Sequence, residues 1–329
     1  MHTGGALPDR IRAHHRRRAH RLPGGNGERA MTEPAMTEPA APVYLDYDQA
    51  RLDLNYNQGA WAPNAEEIIA WYRSASLEAH RKLACRHLAY GEGPAERIDL
   101  FPAASPGAPL VVYVHGGAWR MLDRMDSAFA AEAFVGGGLN FAVLDFASIP
   151  AARLPEMVMQ VQRGIRWLAG HAGELSFDPR HLFVIGHSSG AHLVSAALTA
   201  DTPHRIEAST VAGALCASGA YDLEGPMLSA RGKYLDLTAA EIEIFSPIGH
   251  VARLDCPVLV AYGEAETDEY RRHARTFHAA LQAAGKTSTL LLAEGQNHFE
   301  VSRQLAVRDS VLFDKLSKVM PTLSGQSRF

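Results

Sequence analysis

The sequence predicts an α/β fold in which helices flank a mostly parallel central sheet, and three observations carry that expectation. Six short apolar runs rich in β-branched residues recur between residues 110 and 292. They are continuous rather than alternating, as strands buried on both faces require. Helix-length stretches separate them, long enough for crossover connections between parallel neighbours.

In chain order, Asp48–Asn57 and Ala65–Ala84 show helical spacing, the second carrying Ile68, Ile69, Trp71 and Tyr72. His87–Tyr90 and Arg97–Phe101 read as two short strands joined at Gly91-Glu92-Gly93-Pro94. The six apolar runs follow as Leu110–Val114, Phe141–Leu144, Leu182–Ile185, Val211–Cys216, Val258–Tyr262 and Thr289–Leu292. Helices are expected over Ala128–Val135, Met157–Gly170, Ala191–Ala200 and Tyr270–Ala284. Residues 221–250 lack a strand pattern. An excursion of that length between sheet strands reads as a candidate lid, or as short helices packed on the surface.

The 329 residues can bury a core without disulfides or a structural metal. Cys85, Cys216 and Cys256 form no CxxC and lie in or beside apolar runs, so free thiols in a reducing, cytoplasmic compartment are expected. No apolar run approaches the length of a membrane helix. The net charge of -4 conceals a first thirty residues at +5 and a remainder at -9. An acidic body argues against nucleic acid as a partner. Residues 1–40 hold Arg16, Arg17 and Arg18 and a pentapeptide, Met-Thr-Glu-Pro-Ala, that occurs at 31–35 and again at 36–40. They are expected to form a disordered basic tail, with a start at Met31 or Met36 left open, and they lack the apolar region of a secretory signal. Residues 41–329 are then one domain.

Chemistry enters at Leu182-Phe183-Val184-Ile185-Gly186-His187-Ser188-Ser189-Gly190-Ala191-His192. A strand runs into Gly-x-Ser-x-Gly and then into a helix, which places Ser188 on a tight turn as a candidate nucleophile. The flanking glycines remove the Cβ atoms that would collide there. The N–H of Ser189 opens the helix and serves as one candidate oxyanion donor. His115-Gly116-Gly117-Ala118-Trp119 follows an earlier strand, where the N–H groups of Gly117 and Ala118 are the other candidates.

A serine nucleophile needs a base and an acid, in the order Ser, acid, His. His298, in the loop after the last strand, is the expected base. His192 is expected to pack beneath the turn, and His273 and His278 to lie on a helix surface. Four carboxylates follow Gly263. Glu266 has the reach expected of the acid, Asp268 is its rival, and Glu264 and Glu269 are expected to be solvated. Nothing here requires a metal or an organic cofactor.

These motifs resemble the arylformamidase (kynurenine formamidase) branch of the α/β-hydrolases, beside the hormone-sensitive-lipase-like esterases. His-Gly-Gly-Ala-Trp matches its His-Gly-Gly-x-Trp, and the likeness extends from Tyr90-Gly91 and Arg97–Phe101 to Asn297-His298-Phe299. Two positions depart from it: Glu266 stands where that branch has an aspartate, and Phe146 follows Asp145 where relatives tend to have tyrosine. The resemblance implies an α/β-hydrolase fold and hydrolysis of small carboxylic esters or N-formyl aryl amides. Trp119, Tyr221 and Phe299 are the aromatic candidates for a substrate pocket. The partner expected is a small-molecule substrate rather than nucleic acid or membrane, and a homodimer is left open. Two other readings stand beside this one: a non-catalytic ligand-binding protein on the same fold, and an acyltransferase using the same triad.

Overall fold

The computed structural model describes residues 41–319, so the expectations for residues 1–40 lie outside the described residues. Eight strands form one sheet: β1 Arg86–Ala89, β2 Arg97–Phe101, β3 Ala108–Val114, β4 Asn140–Leu144, β5 Phe177–His187, β6 Gly213–Ala217, β7 Val258–Gly263 and β8 Ser288–Ala293. Their spatial order is β1-β2-β4-β3-β5-β6-β7-β8. β1 pairs antiparallel with β2, and β2 with β4; every later pairing is parallel.

Each apolar run expected to be a strand is one, with ends shifted by a few residues. β5 differs most, because it starts five residues early at Phe177. Phe177 pairs with Ala108, and a register shift then absorbs Asp178-Pro179-Arg180-His181 before Leu182 meets Leu110. Along β3 the side chains alternate between two cores. Leu110, Val112 and Val114 join the helices 154–170, 189–199 and 268–283 on one face. Val111 and Tyr113 join the helices 65–82, 131–136 and 311–319 on the other. Both faces are therefore covered, which explains why the central strands are apolar throughout.

The 221–250 stretch contains three short helices, Glu224–Leu228, Gly232–Leu235 and Ala239–Phe245, and begins a 3-10 turn at Pro247. Thr238 caps the third helix, its side chain accepting from the Glu241 N–H while the Glu241 carboxylate accepts from the Thr238 N–H. His192 Nε2 donates to the Phe245 carbonyl at 2.9 Å, fastening this segment to the helix after Ser188.

Candidate active site

Ser188 sits between β5 and the helix Ser189–Thr199 with φ 57° and ψ -125°. A backbone angle of that sign is unfavourable for a residue with a side chain and persists only where the surroundings enforce it. They do so here through the glycines. A Cβ on Gly186 would lie 2.4 Å from the Gly190 carbonyl oxygen, and one on Gly190 would lie 2.1 Å from that of Val114. The turn thus closes on backbone, with no room for a methyl group on either side of Ser188.

His298 Nε2 lies 2.9 Å from Ser188 Oγ. His298 opens the helix His298–Arg303, whose N-cap Asn297 accepts from the N–H groups of Phe299 and Glu300. Behind the imidazole, Glu266 Oε2 stands 3.7 Å from Nδ1. The other carboxylate oxygen, Oε1, accepts from the Gly263 N–H at 3.0 Å and from the Ser218 hydroxyl. Of the rivals, Asp268 pairs with Arg271 and Glu264 is exposed with Oε2 on the Gly295 N–H. Glu269 corrects the expectation of a solvated group: it is fully buried, paired with Arg272 at 2.8 Å and accepting from the Tyr56 hydroxyl.

The loop His115–Trp119 packs directly on this turn. A Cβ on Gly116 would lie 3.1 Å from Ser188 Cβ, and Gly117 has φ +109°. Among the described residues, the N–H groups of Gly117, Ala118 and Ser189 donate to no protein acceptor. Three unspent donors on two loops flanking one hydroxyl are what a developing oxyanion requires. Beneath the loop, His115 Nε2 is 3.2 Å from Asp145 Oδ1, and Arg124 reaches both Asp145 and Asp99. The His115 ring stacks on Phe146 at 4.3 Å. This support of the loop escaped the sequence reading because no local pattern links residues 99, 115, 124 and 145.

The neighbouring histidines are buried and neutral. His187 Nε2 donates to the His298 carbonyl at 2.7 Å, and burial holds its pKa well below the ordinary value. Burial lowers His192 to about 4; its Nδ1 accepts from the Trp119 indole N–H at 3.2 Å. His273, expected on the surface, is instead buried with Nε2 2.9 Å from the Tyr56 hydroxyl, and burial depresses its pKa strongly. A single amphipathic pattern could not reveal that Tyr56 and Tyr221 cover this helix face.

The aromatic candidates separate. Tyr221 belongs to the core: it is fully buried, stacks on Phe277 at 4.1 Å and donates to the Cys216 carbonyl. Trp119 is buried too, anchored on His192. Phe299 is half-buried beside His298, ring centroids 5.3 Å apart. Tyr270, which the sequence did not single out, presents its ring to His298 at 4.8 Å. As for metals, His80, Cys85 and Asp99 bring three donor atoms within 4.8 Å of one another, with Asp99 Oδ1 engaged by Arg124 and His87. All three cysteines are free. Among the described residues no helix is long and apolar enough to cross a membrane.

The family model described as BD-FAE matches residues 98–215, and that of the prolyl oligopeptidase family matches residues 158–312. The kynurenine formamidase of Danio rerio is 27% identical over 82% of this chain and 95% of its own length. The isoprenylcysteine alpha-carbonyl methylesterase ICME of Arabidopsis thaliana is 26% identical over 71% of this chain and 61% of its own. Among solved structures, the carboxylesterase EstE1 from a metagenomic library superposes with TM-score 0.64 at 18% identity, covering 80% of this chain and 96% of its own. The Est2 esterase of Thermogutta terrifontis does so with TM-score 0.61 at 20% identity, over 74% and 95%. The chain is a hydrolase with the α/β-hydrolase fold, and it is similar in sequence to arylformamidase-like esterases.

Proposed function

We propose that this protein cleaves small carboxylic esters or N-formyl aryl amides through an acyl-enzyme on Ser188, with His298 as base and Glu266 as the acid behind it. The observation that carries the reading is the 2.9 Å contact of His298 Nε2 with the hydroxyl of a serine held on a strained, glycine-flanked turn. A serine hydroxyl is a weak nucleophile until a base removes its proton.

Neutral His298 takes the Ser188 proton as Oγ attacks the substrate carbonyl carbon. The carbonyl electron pair moves to oxygen, and the resulting anion rests on the N–H groups of Gly117, Ala118 and Ser189. The intermediate collapses, His298 Nε2 protonates the departing alcohol or amine, and the acyl group stays on Ser188. Water, deprotonated by the same imidazole, then releases the carboxylic acid, which is formate for a formamide. Glu266 stabilises the imidazolium formed in each half-reaction.

The test is kcat/KM on N-formylkynurenine and on short-chain p-nitrophenyl esters, for the wild-type protein and Ser188→Ala. Turnover of at least one substrate class that disappears in Ser188→Ala supports the proposal. Turnover retained in the variant contradicts the assignment of the nucleophile.

A further inference from the structure

Three side chains converge at the antiparallel end of the sheet: Asp99 on β2, His80 in the last turn of the helix Ala65–Lys82, and Cys85 just beyond that helix. Their donor atoms all lie within 4.8 Å of one another. Asp99 is fully buried, and protein groups engage only one of its oxygens. Oδ1 accepts from Arg124 Nε at 3.2 Å and meets His87 Nδ1 at 2.6 Å. Oδ2 and His80 Nε2 stand 3.4 Å apart, yet both are buried and neither makes a hydrogen bond. A buried carboxylate oxygen without a donor is costly, and a native structure ordinarily supplies it with a partner.

The donor types and their spacing suit a zinc ion. Imidazole nitrogen, thiolate sulfur and carboxylate oxygen are its usual ligands, held at about 2.0–2.3 Å in tetrahedral geometry. A nitrogen and an oxygen on one tetrahedral ion stand about 3.4 Å apart, which is the separation of His80 Nε2 and Asp99 Oδ2. The Asp99 carboxylate and a Cys85 thiolate together balance the 2+ charge. Arg124, the cation at this carboxylate, is shared with Asp145 at 3.4 Å. Arg124 and His87 fix the carboxylate through Oδ1 and leave Oδ2 to the ion, as the outer partners of metal-bound carboxylates do. The Phe101 ring, 5.0 Å from that of His80, backs the imidazole. Cys85 is half-buried and the His87 side chain exposed, so the cluster opens to solvent.

We propose that His80, Cys85 and Asp99 form a zinc-binding site, completed by water in the fourth position, that ties the end of the helix Ala65–Lys82 to β2. Binding forms the Zn–S bond and sends the Cys85 thiol proton to solvent. The ion takes no part in the chemistry at Ser188, because Arg124 and Asp145 stand between Asp99 and His115 of the oxyanion loop. The competing account is a metal-free cluster in which a protonated His80 pairs with Asp99.

The test takes the full chain, freed of metal with a chelator, and titrates it with CoCl2 and then with ZnCl2. A thiolate bound to tetrahedral Co2+ gives an intense charge-transfer band in the near ultraviolet. The wild-type protein should develop that band with one equivalent of Co2+ and lose it to Zn2+. Residues 1–40 contain histidines that also take up metal but no cysteine, so the band reads a cysteine ligand and not the tail. Cys85→Ser should remove the band, and His80→Gln should weaken Co2+ binding by about tenfold or more. Zinc should also raise the melting temperature of the wild type by several degrees and leave that of Cys85→Ser unchanged. No band in the wild type, a band retained in Cys85→Ser, or unchanged affinity in His80→Gln overturns the site. If a variant fails to fold, iodoacetamide labelling of the wild-type protein decides the matter. Zinc should then protect Cys85, read by peptide mapping, and equal labelling of that residue with and without zinc overturns the proposal.

Discussion

Glu266 Oε2 and His298 Nδ1 face each other across 3.7 Å, both buried, and neither has another hydrogen-bond partner among the described residues. Two buried polar atoms left open toward each other mark a contact that tightens when the imidazole becomes charged, as catalytic hydrogen bonds often do on substrate binding. Glu266→Gln is expected to lower kcat by about 10³-fold to 10⁴-fold, because an amide cannot stabilise the imidazolium. Asp268→Asn, which disturbs only a partly exposed ion pair with Arg271, should stay within about threefold. Steady-state kinetics of the two variants on one ester checks the ranking.

Ser218 holds the other oxygen of the same carboxylate and itself has φ +56°. Ser218→Ala leaves the Gly263 N–H as the remaining donor to Oε1. The variant should lower kcat by about tenfold with KM nearly unchanged, the signature of a positioning residue. A fall in KM and kcat together would assign Ser218 a different role.

The glycines at the turn are expected to be structural. Gly190→Ala would force a methyl group against the Val114 carbonyl and should cost about 3 kcal/mol or more of stability. Gly170, at the end of the helix Leu154–Gly170, has open space around its missing Cβ, so Gly170→Ala should be stabilising by up to about 1 kcal/mol. Urea denaturation of both variants gives the comparison.

His187, His192 and His273 are held neutral by burial, with His192 lowered from 6.5 to about 4. The unfolded chain protonates them near pH 6.5, while the folded protein does so only at lower pH. Their contribution is therefore intact above about pH 6.5 and is lost as the pH falls below it, for His192 by about 1.4 kcal/mol per pH unit down to about 4. The melting temperature should drop across that window, and His192→Gln should flatten the drop. A melting temperature constant between pH 7 and 4 would contradict the assignment of neutral buried histidines.

Much of the fold and the centre of the site were legible in the sequence because both rest on local patterns. A strand buried on both faces must be continuously apolar, and Gly186-His187-Ser188-Ser189-Gly190 leaves few other conformations for a strand entering a helix. The start of β5 was hidden, because Asp178, Pro179, Arg180 and His181 carry no strand signal and are held only through the pairing of Phe177 with Ala108. Spacing narrowed the acid to Glu266 and Asp268, but it could not show that Arg271 draws Asp268 aside. The burial of Glu269 and His273 depends on Tyr56, more than two hundred residues away in sequence.

The central claim is that Ser188 attacks the substrate. Treatment with diethyl 4-nitrophenyl phosphate, followed by peptide mass mapping, tests it most directly, since attack on phosphorus expels 4-nitrophenolate and leaves a stable diethylphosphoryl ester on the nucleophile. The account predicts one stoichiometric adduct on the peptide containing Ser188, with matching loss of esterase activity, and none in Ser188→Ala. Inactivation with the adduct on another residue, or full activity with Ser188 modified, would contradict it.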